Sequence, residues 1–390
     1  MFSEVLGNRD SLSDALLVVI GGSRSGKSTY LTRLTEKIES WSAPHSALVL
    51  SVRIRPFWHG AEEQRRHIAA ALLQRARLAL RKAGSEALPP TAGGLFGAFR
   101  EANEGKQSQL EAVFSFLEAR WGSPKVSVYV LVDDSDHAVH TGVLEELLGL
   151  CRVYGVRVVL TTRALSGSAF DCSFSLSEVL RNAEFECLDY LPADPTYSEM
   201  CRRALNIASE LGEQNVIRTA RRVSVDADLF RECVLLSCGL IGRFIDVIRF
   251  LEESQQGKLW RFPERRKIDI FCRSMVAQML AAECENELAA RVESWVRDLG
   301  PLVADQGSAS LGSRWLSLPI EEMNDSQRSI VRAGVNSWVM QCQPRDRIRV
   351  AKQPRFVPES VCLSVAGGLM AGLSYGLCLE RSGGGSALTR

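Results

Sequence analysis

The amino-acid sequence predicts an α/β fold: a parallel sheet in the first half, then a helical stretch and a small mixed domain. Three observations carry this. Apolar runs alternate with amphipathic segments between residues 16 and 188, the pattern of strands covered on both faces by helices. The first run ends in a glycine-rich loop, Gly21-Gly22-Ser23-Arg24-Ser25-Gly26-Lys27-Ser28, which opens an amphipathic segment. A later run, Val128-Tyr129-Val130-Leu131-Val132, ends in two carboxylates, Asp133 and Asp134.

The elements follow in order. Residues 16 to 20 are continuously apolar and read as a strand, and 27 to 39 as the next helix. Residues 47 to 54 are a second strand, and 62 to 82 a helix with Ile68, Leu72, Leu73, Ala76 and Leu80 on one side. Residues 84 to 97 are rich in Gly and Pro and read as a loop. Helix 107 to 121, strand 126 to 132 and helix 139 to 151 come next, the last with Val143, Leu144, Leu147 and Leu148 inward. Strand 156 to 161 and a short strand 185 to 188 complete the sheet. After Pro192 helices dominate from 196 to 251, one or two more cover 268 to 299, and 300 to 380 mixes short strands and helices. Residues 382 to 390 form a Gly/Ser tail with nothing to bury.

With 390 residues the chain exceeds one ordinary core. The hydrophobic share of 46% and charged share of 24% are those of a globular protein and exclude disordered and collagen-like classes. A net charge of +1 excludes whole-molecule attraction to nucleic acid or membrane, so any such affinity needs a local patch. The 11 cysteines show neither C-x-x-C pairs nor zinc spacing, and read as buried free thiols of a cytoplasmic protein. No signal peptide is expected. Residues 360 to 379 are uncharged and nearly of membrane length, but hold four glycines between Glu359 and Glu380. A strand, a turn and another strand explain them better than a membrane span.

The glycine loop fits G-x-x-x-x-G-K-[ST], strand before and helix after. Glycines let the backbone turn its N–H groups around phosphates, and the helix N-terminus adds a favourable dipole. Residues Gly21 to Ser28, with Thr29 after them, are the candidate ATP-binding loop of a P-loop NTPase core. Lys27 is placed to reach the β- and γ-phosphates, and the Ser28 hydroxyl to ligate Mg²⁺.

An apolar strand that delivers a carboxylate beside such a loop is the Walker B arrangement, with Asp133 holding Mg²⁺ and Asp134 orienting or deprotonating a water. Asp136 reads as a cap for the helix after it. In the P-loop proteins that insert a strand between the loop strand and the Walker B strand, that inserted strand senses the γ-phosphate. Here the strand ends Thr161-Thr162-Arg163, with Arg163 the candidate phosphate contact and Thr161 on the water side. A solvated strand-to-loop turn is the other reading of this end.

Together, "VVIGGSRSGKST", "VYVLVDDSD" and "VVLTTR" resemble motifs of the STAND class of ATPases within the AAA+ lineage, of the NB-ARC and initiator (origin-recognition-like) types. "LSCGLIGRFIDVIRFL" resembles their lid motif. The resemblance makes Gly239 that motif's first glycine and Arg243 the sensor-two arginine, with Gly242 where the family often has proline. An exposed helix arginine is the alternative for Arg243. The same resemblance implies a core over 1–192, a helical lid over 193–258, a C-terminal helical and winged-helix-like domain over 259–382 and a flexible tail over 383–390. Arg181 sits where oligomeric relatives carry a finger that completes a neighbour's site.

The expected function is an ATP-operated molecular switch that closes its lid and recruits a protein partner or self-assembles, in a bacterial signalling or defence setting. The alternative is an oligomeric ATPase that loads onto DNA, using Arg181 and the basic run Arg345, Arg347, Arg349, Lys352 and Arg355. A small-molecule kinase fits the paired carboxylates and the Thr-Thr-Arg end poorly, and no N-K-x-D segment points to guanine. No membrane partner is expected.

Overall fold

The computed structural model describes residues 16–41, 47–55, 57–58, 60–82, 108–121, 127–138, 141–163, 183–210, 217–255, 261–305, 315–343, 346 and 358–382. Loop 84–97, Arg181, the basic run at Arg345, Arg347, Arg349, Lys352 and Arg355, and the tail 383–390 lie outside the described residues. Two compact units are present: of the described residues, one takes 16–20, Lys27–Arg163 and 183–186, and the other takes Gly21–Gly26 and those from Cys187 onward.

The first unit is an α/β layer structure. Its strands are β1 (Leu16–Ile20), β2 (Ala47–Arg53), β3 (Ser127–Asp133), β4 (Arg157–Thr162) and β5 (Glu184–Cys187), in the order β2-β3-β4-β1-β5. Helices α1 (Lys27–Trp41), α2 (Ala61–Lys82), α3 (Gln109–Trp121) and α4 (Val143–Val153) connect them. The pairs β1–β4, β3–β4 and β2–β3 are all parallel. Hence β4 lies between the loop strand and the acid-ended strand, as the inserted-strand reading requires. Parallel strands with helices above and below lose water on both faces, which is why Val18, Val19, Leu50, Val130, Leu131 and Val132 are all but sealed.

The helix expected from 139 starts at Val143, after Gly142 with a left-handed φ of 71°. Ahead of it, Ser135–Ala138 forms a short 3-10 turn. Asp136 lies inside that turn and its carboxylate meets Arg163, while Gly142 is the N-cap of the helix at Val143, which corrects the reading of Asp136 as that helix's cap.

The second unit is mainly helical: α5 (Pro195–Glu210), α6 (Ile217–Val225), α7 (Ala227–Leu236), α8 (Ile241–Glu253), α9 (Arg265–Glu283), α10 (Asn286–Asp305), α11 (Asp325–Asn336), α12 (Val365–Met370) and α13 (Tyr375–Ser382). A small antiparallel sheet of order β6-β8-β7 joins β6 (Leu316–Ser317), β7 (Met340–Gln341) and β8 (Ser360–Leu363). Asp226 starts α7 by accepting the Leu229 N–H, and Asn324 starts α11 with a reciprocal capping box to Gln327. One apolar cluster runs from Tyr197 to Cys378, and the buried Tyr197 hydroxyl finds Ser237 Oγ at 2.7 Å.

The strand-turn-strand expected over 360–379 is corrected: β8 is followed by two helices, α12 and α13. Ser364 caps α12 by accepting the Gly367 N–H at 2.9 Å. The glycines mark close packing, since a Cβ on Gly367 would lie 2.0 Å from the Val339 carbonyl oxygen. No described helix is long and apolar enough to cross a membrane. Burial pushes the Cys201 and Cys378 thiols up to about 12, so both stay protonated and inert.

Candidate functional site

Parallel strands all point their carboxyl ends to one edge of a sheet, where ligands of such folds collect. In the first unit that edge gathers Asp133, Asp134, Thr161 and Arg53. Ser28, in the first turn of α1, donates its hydroxyl hydrogen to Asp133 Oδ2 at 2.6 Å. The other oxygen, Oδ1, accepts from Thr161 Oγ1 at 2.5 Å. Thr161 is fully buried, and its oxygen in turn accepts the Asp134 N–H at 3.1 Å. Both Asp133 oxygens therefore hold a hydroxyl, which fixes the carboxylate's orientation.

Asp134 turns its backbone into the left-handed region at φ 55°, one that Asp enters more readily than most residues. Its carboxylate takes Arg53 Nε at 2.9 Å. Arg53 ends β2 in register with Asp133, so the sheet itself supplies this guanidinium. Arg163 reaches the 3-10 turn. Its Nε meets Asp136 Oδ2 at 3.0 Å and its Nη2 lies 3.0 Å from His137 Nε2.

In the second unit, the loop from Gly21 to Gly26 is held at several points. Gly22 donates its N–H to Asp189 Oδ1 at 2.8 Å, and Asp189 is itself buried just past β5. The indole of Trp338 lies on the loop, for a Cβ at Gly22 would sit 2.0 Å from its Nε1. Trp338 holds a left-handed φ of 59°, unusual for a bulky residue. Ser25 is buried, and its Oγ has no partner among the described residues. A hydroxyl left so costs about 1–3 kcal/mol, which a ligand oxygen would remove. Gly26 has φ 96°, and Lys27, next along the chain, is buried.

The helix α8 meets this loop closely. Gly242 donates its N–H to the Arg24 carbonyl oxygen at 2.9 Å, and a Cβ at 242 would lie 2.9 Å from that oxygen. Proline there would lose the donor and strike the carbonyl, which accounts for glycine where the resembled motif often has proline. Arg243 is buried, not the exposed helix arginine of the alternative reading. Its Nη1 pairs with Asp246 Oδ2 at 3.2 Å, and Arg24 takes the other oxygen of Asp246. Burial lowers the Arg243 pKa, the Asp246 carboxylate raises it and the nearby Arg24 charge lowers it again.

Sequence reasoning missed Asp189, Asp246, Trp338 and Arg53. Asp189 carried little signal, since it follows a short strand, Glu184–Cys187, that holds two glutamates, whereas Asp133 ends an apolar run. The others act through contacts that no local pattern marks.

No protein-family model matches the chain, and no curated protein does. Among solved structures it is similar to the ORC2 protein of Aeropyrum pernix in ADPNP-ADP complexes, with 9% identity over 98% of this chain and 91% of that one, at TM-score 0.42. The ADP form of that protein gives 10% identity over 98% and 90%, at TM-score 0.38. Drosophila ORC bound to DNA gives 11% identity over 92% and 90%, at TM-score 0.39. At such scores the fold assignment rests on this chain's own strand order.

Proposed function

We propose that the chain is an ATP-binding and ATP-hydrolysing molecular switch of the STAND/AAA+ type. The observation that carries it is the Ser28–Asp133 contact at 2.6 Å, which joins the helix after the glycine loop to the acid-ended strand. The proposal divides the chain into a core over 1–192, a lid over 193–258, a winged-helix-like domain over 259–382 and a tail over 383–390.

The triphosphate lies on the amides of Gly21 to Ser28 and Thr29, and the Lys27 ammonium reaches its outer phosphates. The oxygen-only donor pair of Ser28 and Asp133 suits a hard cation, so these residues hold Mg²⁺. Mg²⁺ supplies neutralisation of the phosphate charge. Thr161 acts through Asp133, whose orientation it fixes. Asp134 orients the attacking water, aimed by Arg53; an exposed pair of this kind is worth about 0.2–1 kcal/mol, so it guides the carboxylate without locking it. Arg163 serves as the sensor of the terminal phosphate once it leaves Asp136. Arg243 carries the phosphate state to α8, and the output is recruitment of a protein partner or self-assembly.

The test is molecular size by light scattering, with hydrogen exchange over residues 227–253, in ATP and in ADP. A switch gives distinct exchange in the two nucleotides, and the same exchange in both excludes it. The alternative, an oligomeric ATPase loading onto DNA, rests on Arg181 and the run from Arg345 to Arg355, which lie outside the described residues.

A further inference from the structure

Beside the glycine loop, two arginines share one carboxylate. Arg24 belongs to the loop and holds a left-handed φ of 70°. Arg243 sits in the first turn of α8, and Asp246 one turn further on. Asp246 gives one oxygen to each guanidinium, at 3.2 Å for Arg243. Two positive charges against one negative leave a net positive charge beside a phosphate loop. Arg243 is buried, yet its Nε has no acceptor among the described residues. A buried guanidinium with an unused donor is costly, and an anion placed there relieves it. The Gly242 N–H bond to the Arg24 carbonyl adds a main-chain link that needs no side-chain charge.

We propose that Asp246 is a positioning residue that stands in for the terminal phosphate of the nucleotide. Without a triphosphate it latches α8 to the loop by holding Arg24 and Arg243, and the γ-phosphate of ATP displaces it from them. This deepens, and rests on, the ATP reading given above. ADP has no γ-phosphate and leaves the latch closed, so discrimination between the two nucleotides passes through this carboxylate. No bond is made or broken; one anion replaces another on the same donors.

Calorimetric titration of ATP and ADP into wild type, Asp246→Asn and Asp246→Glu tests the exchange. In Asp246→Asn the competitor charge is gone while the shape is kept. ATP should bind about tenfold tighter and ADP within about twofold of wild type, as one charge-assisted contact would give. Asp246→Glu should restore a wild-type ratio. An unchanged ratio, or equal shifts for both nucleotides, overturns the exchange. Hydrogen exchange at the amides of 242–246, measured without nucleotide, tests the latch: faster exchange in Asp246→Asn supports it, and unaltered exchange overturns it. Should wild type bind neither nucleotide, the ATP reading and the phosphate exchange both fail, and the latch stands or falls on those amides.

Discussion

Ser28 and Asp133, 105 positions apart in the chain, are joined by a 2.6 Å hydrogen bond from hydroxyl to carboxylate. The contact exists because α1 begins directly after the glycine loop that follows β1, and because β3 delivers its last residue to Ser28 in the first turn of that helix. With Thr161 on the second oxygen, the carboxylate has both its orientation and its outward partner defined.

Replacing Asp133 by Ala removes one of the two oxygen donors proposed for Mg²⁺. The variant should fold, bind ATP weakly and lose most of the dependence of that binding on Mg²⁺. Titration with and without Mg²⁺ checks it, and an undiminished Mg²⁺ effect places the cation elsewhere.

Thr161→Val keeps the shape but strips Asp133 Oδ1 of its buried donor and the Asp134 N–H of its acceptor. Leaving such groups unpaired costs about 1–3 kcal/mol. Urea unfolding should show a lower midpoint with an unchanged slope, and ATP turnover should fall with it.

Much of this site was legible in the amino-acid sequence, because its parts are local patterns on regular elements. An apolar run ending in Asp133, a glycine loop opening a helix and a Thr-Thr-Arg strand end each announce themselves within ten residues. The inserted position of β4 followed from the same motifs and agrees with the strand order. The partners of those residues were not legible. Arg53 meets Asp134 only because β2 pairs in register with β3, and Asp246 meets Arg24 only through tertiary packing. Residues 360–379 misled for a related reason. Glycines there suggested a turn, whereas Gly367 and Gly368 let a helix approach its neighbours, as contacts to Val339 and Cys378 show.

Gly242→Ala pushes a methyl group toward the Arg24 carbonyl oxygen, with 2.9 Å of room. Overpacking of this order costs about 1–3 kcal/mol. Gly242→Pro should be worse, since it also deletes the N–H donor. Thermal unfolding should rank wild type above Gly242→Ala and Gly242→Pro last; equal midpoints would mean that α8 does not rest on the loop.

Arg53→Ala frees the Asp134 carboxylate. Because the guanidinium is half exposed, stability should change by less than about 1 kcal/mol. Turnover of ATP should nevertheless shift severalfold while ATP affinity holds, and Asp134→Asn should bind ATP yet hydrolyse it slowly. Steady-state kinetics beside binding titrations separate the two effects, and unchanged turnover in both variants would assign the water to another group.

Calorimetric titration of ATP with Mg²⁺ into wild type and Lys27→Ala is the most direct measurement of whether the loop from Gly21 to Ser28 grips a triphosphate. Wild type should bind one ATP per chain, and Lys27→Ala, still folded by circular dichroism, should lose at least about two orders of magnitude in affinity. Equal affinity in the two proteins, or no heat from either, would contradict the assignment.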